Sequence, residues 1–407
     1  MKKTELRKYA NLIIRCGLNV QKGQEVLIYA DLDQPEFVKM VVEEAYKAKA
    51  AKVTVEWNYQ PLDKIHVRYQ NLKTLGGVTE WQKARQEHYC NTLPCRLMLL
   101  SEDPDGLKGM NTAKLAKAKQ MQYPILKPYR DRRENMEQWC IAAVPGAAWA
   151  KKMFPELPKG KAVEKLWQVI METARVNGDP IENWKQHNAT MQANADRMNS
   201  LDLRSVRISA ANGTDLTVGL IPEGEWRAAG DTSLKGIFFN PNIPTEEVFI
   251  SPMKGKAEGI VYSTKPLSYQ GQLIDNFWIR FESGKAVESG AETGAEQLKT
   301  MLEMDEGSSM LGEVALVPQK SPICESGLLF YNTLFDENAA CHLAVGAGFP
   351  DTIKDFANKT LDECRALGIN ESMIHVDFMI GCDTMNIDAV TADGKEVAIF
   401  RNGNWAW

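Results

Sequence analysis

The spacing of apolar residues changes partway along the chain, and the change divides it into two kinds of structure. Residues 6–16 carry apolar side chains at helical intervals and stop at Gly17, which predicts an opening helix. EVLIYA at 25–30 is a short apolar run that predicts a buried strand, 35–48 an amphipathic helix, and KVTVEW at 52–57 a second strand. RLMLLS at 96–101 and CIAAV at 140–144 predict further strands, with a helix near 113–121 between them. Alternation of strand and helix implies a parallel sheet with helices on its faces. Helices at 163–176 and 181–198 close this half. From Leu201 the period shortens to two, in SVRIS at 205–209, TVGL at 217–220, GIVY at 259–262 and NFWIRF at 276–281. Turn pairs such as Asn212 with Gly213 and Ser283 with Gly284 separate these runs, as in antiparallel hairpins. The chain therefore reads as α/β with two domains: an N-terminal α/β domain, 1–199, with a mainly parallel sheet, and a C-terminal α+β domain, 200–407, rich in antiparallel strands.

Length supports that division, because 407 residues exceed what one ordinary core organises. Hydrophobic residues at 44% and charged residues at 25% are the composition of a soluble globular protein. A formal charge of -5 supplies no basic field for phosphates, so nucleic acid is not an expected partner. The first residues lead straight into the helical pattern without the apolar core of a secretory signal, and no apolar run has the length of a bilayer span. The expectation is a cytoplasmic protein with no membrane partner. Eight cysteines are scattered without a CxxC pair, which argues for neither a disulfide frame nor a zinc ribbon. Cys341 and Cys382 read as packing residues. No strand is followed by GxGxxG and no GxxxxGK[ST] occurs, which disfavours a bound dinucleotide or triphosphate. SEDPDG at 101–106 reads as a turn, and Trp149 as a core residue of a helix.

The chemistry concentrates between 311 and 383. MIHVDFMIG at 373–381 is an apolar run broken by one histidine and one carboxylate two places apart. On a strand His375 and Asp377 face one way while Ile374, Val376 and Phe378 face the other. LGEVALV at 311–317 places Glu313 in an otherwise apolar strand, a costly position unless a cation or donor meets it. FDENAACH at 335–342 adds His342 and one or other of Asp336 and Glu337, the second acid reading as a solvated loop residue. Upstream, alternation lets only one of Glu246 and Glu247 point inward and does not choose between them. Of five histidines, His66, His88 and His187 sit among polar residues on expected surface segments and receive no role. A nitrogen and an oxygen ligand on one strand face suit a metal ion, against the plainer reading of a His–Asp hydrogen bond.

At these residues the chain resembles the metallo-aminopeptidases of the aminopeptidase T and aminopeptidase S type. The matching blocks are NIPTEEVF at 242–249, GEVALV at 312–317, TLFDENAACH at 333–342, SMIHVDFMIG at 372–381 and RNGNW at 401–405. Similarity also runs through GLNVQKGQEVLIYA, VVEEAYKAKA, SEDPDGLKG and AWAKKMFP, so it covers essentially the whole length. The resemblance implies six ligands, Glu247, Glu313, Glu337, His342, His375 and Asp377, around two divalent metal ions. Zinc or cobalt come first, with manganese or magnesium as alternatives. It implies that Glu313 bridges, with Glu247, His375 and Asp377 on one ion and Glu337 with His342 on the other. A buried carboxylate shared by two cations is well compensated. The chain departs from the family at Phe349, seven positions after His342, where a tyrosine is usual. A phenol there could donate to an oxyanion and a phenyl cannot. Tyr331 and a backbone amide of the loop 346–348 are the substitutes to consider.

The implied activity is an aminopeptidase that removes single residues from peptides with a free N-terminus. A water activated by two metals would attack, with Glu313 as the catalytic carboxylate. A homodimer with an interior chamber is the implied assembly. Two other readings compete. His342, His375 and Asp377 have the composition of a mononuclear iron oxygenase triad, although the further acids argue against one iron. The third reading is a metal-binding relative whose chemistry Phe349 has weakened.

Overall fold

The expected strands of the first half join one parallel sheet in the computed structural model, which describes residues 1–407. Across the sheet the order is Asn242–Ile243, Trp139–Ala143, Cys95–Leu100, Glu25–Asp31 and Lys52–Asn58. Every neighbouring pair runs parallel. Val26, Leu27 and Ile28 are buried in succession, as a strand covered on both faces requires. The helix Pro35–Lys47 opens on proline, where a missing N–H leaves no bond unmade, and turns Phe37, Val38, Met40, Val41 and Ala45 inward. Tyr9, from the helix Lys3–Leu12, stacks on Phe37 at 5.5 Å between ring centroids, and Phe37 meets Trp167 of the helix Lys159–Thr173 at 5.2 Å. The buried Tyr9 hydroxyl donates to the Ala143 carbonyl at 3.1 Å, so this aromatic cluster is tied to the sheet as well as packed on it.

Two expectations change in this half. The opening helix is α only over Lys3–Leu12 and widens to a π turn over Ile13–Gly17, where adjacent Ile13 and Ile14 are both fully buried. The helix expected at 113–121 runs over Thr112–Asp131, through Pro124 and Pro128. Trp149 is fully buried, and the 101–106 stretch turns back with Gly106 N–H donating to the Asp103 carbonyl at 2.8 Å.

The second half is antiparallel. A large sheet runs in the order Leu267–Tyr269, Gln272–Glu282, Pro252–Tyr262, Asp215–Leu220, Leu203–Ser209, Asn386–Thr391, Glu396–Arg401, Asn404–Trp405, with Lys285–Thr293 also on Gln272–Glu282. A smaller sheet runs His375–Met379, His342–Gly346, Leu311–Leu316, Val248–Ile250, Arg227–Ala228. One apolar cluster joins the two sheets, with Val314, Leu316, Leu343, Val345, Val376 and Phe378 from the smaller and Val206, Val218, Phe277 and Ile279 from the larger. Compact units form from Met1–Asn188 with Gly230–Thr245, and from Ala189–Ala229 with Glu246–Trp407. No helix is long and apolar enough to cross a membrane.

Candidate metal centre

Strand register assembles the site. In the smaller sheet Glu313 lies opposite Ala344, and Ala344 opposite Asp377. His375 lies opposite Gly346, and His342 opposite Ala315. Residues directly opposite share a face, and so do residues two apart on one strand. Glu313, His342, His375 and Asp377 therefore rise from one side of three adjacent strands, while Val314, Leu343, Val345, Val376 and Phe378 enter the core on the other. The floor between the functional groups is made of the small residues Ala344 and Gly346. Gly346 has φ +108, and a Cβ there would sit 2.1 Å from the Ile374 carbonyl oxygen, so no other residue fits. The ladder shifts register between Leu311 and Glu313, at Gly312, where a Cβ would meet the Ala347 carbonyl oxygen at 2.3 Å.

Both histidines are held in one tautomer. Nδ1 of His342 lies 3.1 Å from the Ala340 carbonyl oxygen and Nδ1 of His375 lies 2.7 Å from that of Ala347. A carbonyl only accepts, so Nδ1 carries the hydrogen and Nε2 is presented to the site. There Nε2 of His342 stands 3.1 Å from Glu247 Oε2, and Nε2 of His375 stands 3.2 Å from Glu313 Oε2 and 3.1 Å from Asp377 Oδ1. A lone pair facing carboxylate oxygens at these distances needs positive charge, either a second proton on the ring or a cation between the groups. Asp377 Oδ1 is buried and accepts no hydrogen bond.

The electrostatics point the same way. Burial, and then the nearby Asp377 and Glu247, push the Glu313 carboxyl up to about 7, against the opposing His375 hydrogen bond. Burial and the charges of Asp377, Glu247 and Glu313 hold Glu337 well above the usual carboxylate range. Burial disfavours the charged imidazole of His342, but the Glu247 hydrogen bond and the surrounding acids outweigh it and raise the ring to about 9. His375 is raised in the same sense by Asp377 and Glu313 against its burial, and Asp377 is lowered by His375 despite burial. Four buried acids outnumber the two histidines that could balance them. The donor oxygens and nitrogens fall into two groups, Glu247 with Glu313 and His342, and Glu313 with His375 and Asp377. Within each group the donors lie within 4.8 Å of one another, and Glu313 belongs to both. Mixed nitrogen and carboxylate donors, with more acids than imidazoles, fit divalent cations.

Placement of the other candidates differs in detail from the sequence expectation. Glu247 stands against His342, whereas the resemblance placed it with His375 and Asp377. Glu246 and Glu247 are both buried, and only Glu247 joins a donor group. Asp336 is not a solvated loop residue: it is 4% exposed and accepts backbone N–H groups of Phe330 at 2.8 Å and Asn332 at 3.0 Å. Glu337 lies outside the two tight groups but acts on the same charges. An iron triad would need His342 beside His375 and Asp377, and the structure puts it in the other group. His187 is not a free surface residue, since its Nε2 lies 2.8 Å from the Thr245 carbonyl oxygen and its ring packs edge-on to Trp184.

Sequence reasoning missed Asn338. Fully buried, its Oδ1 accepts from the Glu246 backbone N–H at 2.7 Å and its Nδ2 donates to the Leu334 carbonyl at 2.9 Å and to Glu337 Oε1 at 3.4 Å. It thus joins the segments that carry Glu247 and Glu337, and its place beside Glu337 in FDENAACH was the available signal. Phe349 lies 4.7 Å from the His375 ring and packs edge-on to Phe249 at 5.6 Å. Its backbone N–H donates to Ser251 Oγ at 2.7 Å. The amides of Gly346, Ala347 and Gly348 each donate to a carbonyl, of Met310, Ile374 and Asn370 respectively.

Comparison with known proteins gives this geometry a lineage. The sequence pattern of the thermophilic metalloproteases (M29) matches residues 2–405. The chain is 40% identical to aminopeptidase AmpS of Bacillus subtilis (strain 168) over 405 residues, covering 99% of this chain and 98% of that protein. It is 37% identical to aminopeptidase T of Thermus aquaticus over 402 residues, covering 98% of each. Among solved structures, wild-type AmpT from Thermus thermophilus superposes with a TM-score of 0.89 at 35% identity, covering 100% of both chains. A 2,5-dihydroxypyridine dioxygenase from Pseudomonas putida KT2440 shares the fold alone, with a TM-score of 0.52 at 12% identity over 100% of this chain and 98% of that one. With two histidines and a shared carboxylate raised from one sheet face, and with a match that runs nearly end to end, the chain belongs to the thermophilic metalloprotease family M29, alongside these metallo-aminopeptidases.

Proposed function

We propose that this metallo-aminopeptidase removes single residues from the free N-terminus of short peptides with water activated between two divalent cations. The observation that carries the reading is the pair of donor groups sharing Glu313. Glu247, Glu313 and His342 would hold one ion, Glu313, His375 and Asp377 the other, and Glu337 completes the set. When bound, such a pair lowers the pKa of a shared water to about 7 and polarises the scissile carbonyl. Zinc or cobalt suit these donors, and manganese and magnesium are further candidates.

The chain's own groups do the rest. Carbonyl bonds at Nδ1 keep both imidazoles aimed, so no reorientation accompanies the reaction. Glu313, or another carboxylate of the set, takes the proton released as water attacks and returns it to the departing amine. Phe349 packs against the His375 ring and Phe249 against Phe349, and neither side chain offers a donor to an oxyanion. With the loop amides already bonded, Tyr331 remains the side chain to test for that role.

Catalysis is assigned to the half 200–407, in a cytoplasmic homodimer. Glu313→Gln should bind less metal and lose turnover of aminoacyl-p-nitroanilides by at least about a hundredfold. Undiminished turnover, or a single ion per chain by elemental analysis, would remove this mechanism.

A further inference from the structure

A second cleft lies wholly in the first unit, with a volume of about 440 Å³ at the carboxyl ends of the parallel strands, but its acids are exposed or bonded within the protein and its lining holds no buried polar side-chain atom without a partner. A third, of about 320 Å³, opens on the sheet at the start of the strands Cys95–Leu100 and Trp139–Ala143. Arg96, Arg130 and Arg133 line it, and Tyr29 and Trp139 form part of its wall. Behind them sits Glu137, 1% exposed.

Glu137 is bonded unevenly. Its Oε1 accepts from Arg96 Nε at 2.6 Å, from Arg133 Nε at 3.0 Å, and also from Arg133 Nη2. Its Oε2 is buried and receives no donor from the protein. Arg96 uses only Nε on this carboxylate, which leaves its terminal amino groups for another acceptor. Arg130 is exposed and bonded only to the Tyr123 hydroxyl, at 3.1 Å. The lining thus offers guanidinium donors beside a carboxylate oxygen that wants a donor.

That combination selects its ligand. A phosphate or dicarboxylate would set negative charge against Glu137 Oε2 and the neighbouring Glu134. An amine alone would meet three guanidiniums. A zwitterion satisfies both, and pockets near this size suit small molecules. We propose that this cleft binds a free α-amino acid, with its carboxylate between Arg96 and Arg130, its ammonium donating to Glu137 Oε2, and an apolar side chain against Tyr29 and Trp139. All these residues lie in the first unit, so the site is separate from the metal centre and does not depend on the peptidase reading.

Isothermal titration of the metal-loaded enzyme with L-leucine tests this, beside 4-methylpentanoate, which lacks the ammonium, and 3-methylbutylamine, which lacks the carboxylate. The site predicts leucine binding that weakens about tenfold or more in Arg130→Gln and in Arg96→Met, with both partial analogues weaker than leucine on the wild type by a similar factor. Arg130 is on the surface, so Arg130→Gln keeps the test valid if Arg96→Met fails to fold. Turnover of an aminoacyl-p-nitroanilide should stay unchanged in Arg130→Gln. Leucine affinity unaffected in Arg130→Gln places the binding elsewhere and overturns the site. The same holds if no leucine binding is detected, and if 4-methylpentanoate equals leucine the role of Glu137 is overturned.

Discussion

Asp336 makes a sharp test of how the metal centre is held. Its carboxylate takes the Phe330 and Asn332 amides at 2.8 and 3.0 Å and the Tyr331 amide as well, gripping a loop in which Tyr331 adopts a left-handed backbone with φ +54. Asp336→Ala leaves three donors without that acceptor. The Phe330 residue is fully buried, so its amide gains no water, whereas Tyr331 and Asn332 are half-buried and recover part of theirs. At about 1–3 kcal/mol for an unsatisfied buried donor, one full and two partial losses come to about 2–4 kcal/mol. Relaxation of Tyr331 from its strained backbone returns some of this, about 1 kcal/mol. The loss should appear as a lower urea midpoint by circular dichroism, and metal affinity, read by competition with a chelator, should fall because Glu337 follows directly in the chain. A midpoint shift equivalent to less than about 0.5 kcal/mol with unchanged metal affinity would refute the grip.

Three further expectations follow from the same structure. Phe349→Tyr places a phenol beside His375, and if the oxyanion lacks a donor there kcat should rise, up to about a hundredfold, with KM little changed; an unaltered kcat would place the donor elsewhere. Chelation should abolish turnover and lower the thermal midpoint, and readdition of zinc, cobalt and manganese singly should restore both; activity that survives full chelation contradicts a metal mechanism. His187 is lowered to about 4, chiefly by burial and then by Arg175, so the unfolded chain binds a proton that the folded one refuses as pH falls from about 6.5 to 4. Its contribution to stability is complete above that window and lost through it, at most about 3 kcal/mol, so the wild type should lose more urea resistance between pH 7 and 4 than His187→Gln. Parallel curves would exclude this contribution.

Much of the fold was legible because the rules that reveal it are local. Alternation alone put His375 and Asp377 on one face and Val376 and Phe378 on the other, and the strands of the first half could be read from short apolar runs. What escaped depends on partners far along the chain. Asn242–Ile243 joins the parallel sheet only by meeting Trp139–Ala143, which no property of its own sequence announces. The helix expected near 113–121 continues through Pro124 and Pro128 to Asp131, a length that the apolar spacing of its own residues does not announce. Asp336 and Glu337 are equally acidic neighbours, and the distinction between a carboxylate that grips backbone amides and one that faces other acids lies in residues 330–332 and in Asn338. His187 seemed a surface residue because its neighbours are polar, while its partner Thr245 lies 58 positions away.

The small residues at the centre of the three-strand face have an effect on durability as well. Glu313 and Asp377 hang from strands that do not touch each other, with only Ala344 between them, and they are separated by a long span of sequence. A cation pair held by both would clasp the first strand to the third, so that neither could peel away until an ion had left. Thermal inactivation of the loaded enzyme would then follow the rate of ion escape rather than the equilibrium strength of the sheet. Excess metal in the buffer would then leave its lifetime at high temperature unchanged once binding is saturated, while a variant that releases its ion faster would inactivate sooner.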